Sequence, residues 1–268
     1  MRLLKADGII GADIDMEWGG NMCIFAISIN EHTEYRIILA SNRDEFFNRE
    51  SQKAHFWKKE GIIAGKDLKM GGTWLGVNNQ DKKIAILTNY RNPLLVNVNY
   101  KSRGMLILDY LTQKIGVDNW RINIKKEKYN PFNIILGDFN NLYYYTNINN
   151  ELIKLENGIH VLSNGFLNEP WPKVKKLREL FTQTIKSDFN RQNLIEIMKD
   201  EEKFPINTLP DTNISKEMEY FLSSIFINSK KYGTRATTIV TVDYENKVKF
   251  TEVSYNSKKE IISYIDLK

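Results

Sequence analysis

The sequence predicts an α+β fold in which antiparallel sheets carry helices on their outer faces, and three observations predict it. Candidate elements come in blocks of strands, helices, strands, helices and strands, not in the one-by-one alternation of βαβ units. Consecutive strands are separated by short polar or glycine-bearing turns, which makes them hairpins. A chain of 268 residues, 42% of them hydrophobic, is long enough for one large domain or two small ones with a sizeable core.

Residues 1–21 (MRLLKADGIIGADIDMEWGGN) hold two basic and four acidic residues and keep no period, so they form a non-core N-terminal extension ahead of a single domain over 22–268. They lack the apolar run of a signal peptide and the acid-poor composition of a transit peptide. Asp13-x-Asp15-x-Glu17 opens like a calcium loop, but Trp18 stands where the turn needs glycine, which rejects calcium.

From Met22 the pattern is that of strands. Residues 23–29 and 35–40 flank the polar loop 31–34 as a hairpin, and further strands are predicted at 61–65, 73–77 and 83–90. Gly71-Gly72 supplies positive-φ freedom for a tight turn. Ser102 caps an apolar helix running to Ile115, and 117–126 forms another. Strands follow at 132–137, 142–146, 153–155 and 159–162. Val174, Leu177, Phe181 and Ile185 then recur at helical steps, predicting a helix from Pro172 to Lys186. Two more helices are expected at 190–202 and 215–227, with the Pro205- and Pro210-bearing loop 204–215 between them as a candidate lid. A hairpin of 235–244 and 247–255, turning at Glu245-Asn246, closes the core.

Composition excludes several functions. The net charge of +5 is dispersed, and its densest clusters, Lys125-Lys126-Glu127-Lys128 and Lys173 to Arg178, sit in helical patterns as solvated faces, so nucleic acid is not an expected partner. The longest nearly unbroken apolar run, 22–29, is far short of the roughly 20 residues of a spanning helix, so no integral membrane association is expected. A single cysteine permits no internal disulfide and no cysteine zinc site, and suits a reducing compartment such as the cytoplasm. His32, His55 and His160 lie far apart without metal-site spacing. Gly61-x-x-x-Gly65-Lys66-Asp67 is one residue short of a phosphate loop.

Cys23 follows an internal methionine at the head of the first core strand. If residue 23 becomes the first residue, its thiol and its own α-amine, of ordinary pKa about 7.7 to 8.0, sit on one residue as nucleophile and base. The alternative is a small buried hydrophobe. The remaining polar inventory falls at strand ends: Asn42-Arg43-Asp44, Thr88-Asn89, Ser163-Asn164-Gly165 and Gly233-Thr234-Arg235. Acyl transfer needs a cation to favour thiolate, a carboxylate to orient the amine and amide donors for the oxyanion. Each group also has an ordinary alternative as a turn residue or surface ion pair.

Asn42-Arg43-Asp44-Glu45-Phe46, Gly71-Gly72-Thr73-Trp74-Leu75-Gly76, Leu87-Thr88-Asn89-Tyr90, Ser102-Arg103-Gly104, Leu162-Ser163-Asn164-Gly165 and Gly233-Thr234-Arg235 together resemble the NRDE family, also called the transport and Golgi organization protein 2 family. Its members typically begin Met-Cys, which implies that Met22 is the true or ancestral start. The family is similar to N-terminal nucleophile hydrolases, which implies a four-layer αββα sandwich of two antiparallel sheets. Against the choloylglycine-hydrolase branch, Cys23 falls on the nucleophile and Asp44 on the carboxylate that holds its amine, while Asn89, Asn164 and Arg235 resemble the remaining polar positions. That branch has arginine three residues before the aspartate; here Ser41 stands there and the arginine is Arg43. Neighbours on a strand point to opposite faces, so Arg43 and Asp44 both reach the thiol only if the strand ends between them.

The resemblance implies two functions. One is a cysteine amidohydrolase, needing no cofactor, that cleaves a linear amide of a small or lipid-like molecule. The other is a non-catalytic haem or lipid/acyl-ligand binding and trafficking protein, with Cys23, His32, His55 and His160 as candidate haem ligands. The family's links to haem mobilisation, lipid metabolism and secretory-pathway organisation imply Golgi or mitochondrial association. Trp57, Trp74 and Trp171 are candidates to line an apolar pocket.

Overall fold

A computed structural model describes residues 22–187, 189–256 and 259–267. The extension at 1–21, with its rejected calcium motif, lies outside the described residues. One sheet has six strands in the order β10-β1-β2-β11-β12-β13: Gly158–Leu162, Met22–Ile29, Tyr35–Phe46, Tyr232–Asp243, Val248–Asn256 and Lys259–Leu267. The other has seven, β3 to β9 in chain order: Ser51–Trp57, Ile62–Asp67, Leu75–Asn78, Lys83–Asn89, Phe132–Asp138, Leu142–Thr146 and Glu151–Lys154. All the pairings within these two sheets are antiparallel. Helices α1 (Gly104–Thr112) and α2 (Val117–Asn123) cover the seven-stranded sheet, and α3 (Pro172–Lys186) and α4 (Arg191–Met198) cover the other. A short α5 (Lys216–Phe221) precedes β11.

Strand alternation builds the layers. Phe25, Ile27 and Leu39 face Ile63, Val77 and Ile135 between the sheets, while Ile24, Ala26 and Ile38 face Val174, Leu177 and Phe181 of α3 on the other side. Because β1 is buried on both faces it reads as a continuous apolar run. Tyr110 and Trp120 seat α1 and α2 on Ala85 and Ile134. The order of layers is α, β, β, α, as expected.

Four details correct the sequence reading. The second strand runs on to Phe46, so Asn42 to Glu45 lie inside it and not in a turn beyond it. Strands β3 and β13 escape a pattern search because they are short of apolar residues or exposed on alternate positions. Ser102 does not cap α1: the helix begins at Gly104, with no side-chain cap, where its first turn docks on the preceding turn. There a Cβ on Gly72 would stand 2.5 Å from the Gly104 carbonyl carbon, so only glycine permits the approach. Finally, α5 stops at Phe221, and the bends that follow present the main-chain carbonyl of Ile225 to Asn42 Nδ2 at 2.9 Å.

Candidate functional site

Cys23, the second residue of β1, pairs with Arg43 on β2, and Met22 pairs with Asp44. Cys23 and Arg43 continue the alternation of Phe25, Ile27 and Leu39 and so belong to the inter-sheet face, whereas Asp44 belongs to the helix face. The strand does not end between Arg43 and Asp44. Asp44 nevertheless reaches the sulfur, through a main-chain hydrogen bond, while Arg43 acts on it electrostatically.

The thiol is buried; Cys23 is 5% exposed. Burial, then the Asp44 carboxylate, pushes its pKa up to about 12, against the pull of Arg43 and the Asp44 hydrogen bond. Asp44 is itself buried, its Oδ1 accepting a 2.6 Å bond from Thr234 Oγ1. Burial raises it to about 7, with the Thr234 bond and the cations Lys173 and Arg43 opposing the rise.

Arg43 stacks on Trp74 with Cζ 4.3 Å from the ring centroid, and its Nη2 lies 3.6 Å from Glu45 Oε2, a carboxylate that Arg49 also approaches, at 3.5 Å. Its Nη1 is buried with no hydrogen-bond partner. Arg43 and Trp74 stand in the walls of two cavities. One, of about 240 Å³, is also bordered by Asn89, Arg103 and the 69–73 turn, and the other, of about 200 Å³, by Arg235 and Glu252.

Asn89 and Asn164 come together: Asn164 Nδ2 donates to the Asn89 carbonyl at 3.0 Å. Ser163 Oγ lies 3.2 Å from Asn164 Oδ1 and 3.3 Å from the Cys23 carbonyl, linking the pair to the strand that carries the thiol. Arg235 goes elsewhere. Its Nη1 donates to the carbonyls of Phe46, Phe47 and Arg49 at 2.9, 3.2 and 3.0 Å, which fixes the turn after β2.

Sequence reasoning assigned no role to Thr234, Ser163 and Arg103, although all three sit inside the quoted motifs. Burial, with Arg49 nearby, lowers Arg103 to about 10, while the charges of Cys23 and Glu45 act the other way. Lys173 is a correction: it lies in a basic stretch read as a solvated face, yet it is buried, with Nζ donating to the Leu222 carbonyl at 2.9 Å, and burial lowers it to about 8. Arg91 and Glu219, also overlooked, form a buried 2.7 Å ion pair. Of the candidate lid, 208–213 borders a third cavity of about 340 Å³ with Arg91, Asn164 and Trp171, and Thr212 N–H and Oγ1 donate to Glu219 at 3.0 and 2.6 Å. Trp57 packs in the outer core with Nε1 donating to the Ala64 carbonyl at 2.9 Å.

The histidines stay apart. His32 packs at a tilt against Tyr35 and edge-on against Phe189, His55 stacks with Trp57, and His160 Nε2 lies 2.9 Å from the Glu156 carbonyl. Among the described residues no group of three or more His, Cys, Asp or Glu is placed to hold a metal ion, and no helix is long and apolar enough to cross a membrane.

Residues 22–257 match the family described as Transport and Golgi organisation 2. The chain is 33% identical over 249 residues to the human Transport and Golgi organization protein 2 homolog, covering 84% of this chain and 88% of that one. It is 26% identical over 263 residues to Transport and Golgi organization protein 2 of Drosophila melanogaster, covering 86% and 91%. An uncharacterized protein of Saccharomyces cerevisiae is 24% identical over 300 residues, covering 91% and 95%.

Proposed function

The chain belongs to the transport and Golgi organisation 2 family, and from that premise we propose that it is an N-terminal nucleophile hydrolase-like protein whose Cys23 opens a linear amide of a small or lipid-like molecule. The observation that carries the reading is the register. Met22 pairs with Asp44, so loss of residues 1–22 leaves a new α-amine beside that residue and one carbon from the carbon that bears the thiol. With a peptide bond in place of the amine, the thiol has no base on its own residue and its pKa stays near 12.

Once freed, the amine accepts the thiol proton, Asp44 holds the resulting ammonium, and Arg43 favours the thiolate. Sulfur bonds to the amide carbonyl carbon, whose oxygen takes the charge near Asn89. The C–N bond then breaks, the leaving amine takes the proton from the α-ammonium, and water cleaves the thioester to acid and free thiol. No metal or organic cofactor enters this sequence.

The test uses protein that begins at Cys23. Its thiol is expected to titrate well below 12 in alkylation by iodoacetamide, and an electrophilic amide mimic should label it once per chain. A thiol as sluggish as that of the longer chain overturns the reading. Intact-mass analysis of protein from the natural gene shows whether residue 23 carries a free amine.

One observation favours a second reading, ligand binding and trafficking without turnover: Asn164 and Arg235 commit side-chain donors to main-chain carbonyls. A lipid-like or acyl ligand, or haem, is then cargo. Of the candidate haem ligands, His160 borders an open groove of about 500 Å³ with Leu155, Phe166 and Leu167. Haem titration should shift the absorption band, with the shift lost in His160→Ala; no shift at micromolar protein removes haem as cargo.

A further inference from the structure

The loop that leads to the cavity beside Arg43, and borders it with Tyr100 and Lys101, is unusual. Residues 92–100 leave β6 and return at Lys101, and they hold Leu94 and Val98 in solvent at 77% and 80% exposure, with Leu95 and Tyr100 also exposed. No acidic residue occurs between Arg91 and Lys101. The apolar side chains are displayed on a shaped loop. Asn92 Oδ1 accepts the Leu94 N–H at 3.2 Å, Asn97 and Asn130 exchange bonds of 2.7 and 3.0 Å, and Lys101 N–H reaches the Lys128 carbonyl at 2.8 Å.

Those last bonds bring a second feature alongside. Lys125, Lys126 and Lys128, against the single acid Glu127, flank the loop's attachment point. The opposite lip repeats the mixture: Leu68 and Met70 are exposed around Lys69, and Lys69 and Met70 line the same cavity as Tyr100 and Lys101. Apolar tips with lysines on both sides match an interface whose depth is apolar and whose surface is anionic. An acidic protein surface would answer the lysines but leave Leu94 and Val98 without a partner.

We propose that this loop and its flanking lysines dock the protein peripherally on an anionic phospholipid surface. Leu94, Leu95 and Val98 enter the headgroup region, and Lys69, Lys101, Lys125 and Lys128 meet the phosphates. The cavity then opens toward the bilayer, so a lipid-like ligand enters it without crossing water; that corollary alone rests on the ligand class proposed above, and the docking does not.

The full chain should co-sediment with vesicles of phosphatidylcholine containing about one third phosphatidylserine, far less with phosphatidylcholine alone, and less again as salt rises. The double variant Leu94→Ser, Val98→Ser should lose at least tenfold in partitioning while melting as the wild type does. Lys101→Glu should lose more than about fivefold, since one lysine near an anionic surface contributes about 1 kcal/mol. No sedimentation with the anionic vesicles at low salt overturns the proposal. So does equal sedimentation with neutral vesicles, or a folded serine variant that partitions like the wild type. Binding to poly-glutamate without binding to vesicles assigns the surface to an acidic protein and overturns it as well. The assay reads no turnover and Cys23→Ser should dock normally, so failure here and failure of the thiol chemistry are separate results.

Discussion

Arg43 and Arg91 are both buried and both stack on a tryptophan, at 4.3 Å on Trp74 and 4.8 Å on Trp171, yet they differ in what neutralises them. Arg91 meets Glu219 at 2.7 Å, and the same carboxylate takes both bonds from Thr212, so the pair is directly hydrogen-bonded and clips the 208–213 segment to α5. Arg43 shares Glu45 with Arg49 at the longer distances of 3.6 and 3.5 Å, while each arginine keeps buried N–H groups without a partner, Nη1 in Arg43 and Nε and Nη1 in Arg91. A directly hydrogen-bonded pair holds structure together. A carboxylate shared at longer range leaves more of the positive charge of Arg43 to act on the neighbouring thiol.

The strongest way to break this comparison is at Glu219. Glu219→Ala leaves the Arg91 guanidinium charged in a dry site, and removing one member of a buried pair costs about 3–5 kcal/mol. Urea unfolding should show a loss of that size, and proteolysis should begin in the 208–213 segment, which loses its anchor at Thr212. A loss under about 1 kcal/mol would mean that water or another group neutralises Arg91, and the contrast with Arg43 would fail.

A pH series sharpens it next. Asp44 is raised to about 7 in the folded chain against 3.8 for an ordinary aspartate, so between those values the folded state binds a proton that the unfolded state has released. Its stabilising contribution is therefore complete below pH 3.8 and is lost as pH rises toward 7, with a ceiling on the order of 4 kcal/mol. Lys173, lowered to about 8, is charged in both states across that window and acts only at higher pH, where its contribution grows with pH. Wild type minus Asp44→Asn should therefore decline from pH 4 to pH 7. A flat difference would mean that Asp44 is ionised and paired, a site like that of Arg91.

How much of this was legible follows from where each partner lies in the chain. The β1–β2 hairpin and the α3 stripe were readable because their signals are local: an apolar run and a polar loop in one case, helical steps in the other. The extension of β2 was not, because Asn42 to Glu45 look like a turn until one knows what meets them. Asn42 bonds Met198, Ile225 and Thr237, and Asp44 bonds Thr234, all more than 150 residues away. Lys173 looked solvated because its acceptor, the Leu222 carbonyl, carries no sequence identity. Arg235 was invisible as a clamp for the same reason, its three acceptors all being main-chain oxygens. The resemblance could name the polar residues of this end of the sandwich, but which of them keep a free donor depends on carbonyls that no motif records.

The smallest stability effect is expected at Arg43 itself. Removing Arg43 alone leaves the buried Glu45 carboxylate, but Arg49 still faces it at 3.5 Å, so the loss is expected to be much smaller than at Glu219. Arg43→Met should therefore cost about 1 kcal/mol, the lost stacking on Trp74 being the larger part because Glu45 keeps Arg49. Its effect belongs to the thiol: without the cation, Cys23 loses the first of the influences that lower its pKa, and alkylation of protein beginning at Cys23 should slow at a given pH. Arg43→Lys, keeping charge but not the planar stack, should restore part of the rate. If Arg43→Met instead unfolds the protein as Glu219→Ala does, Arg43 is structural after all, and the cavity beside it loses its claim to a ligand.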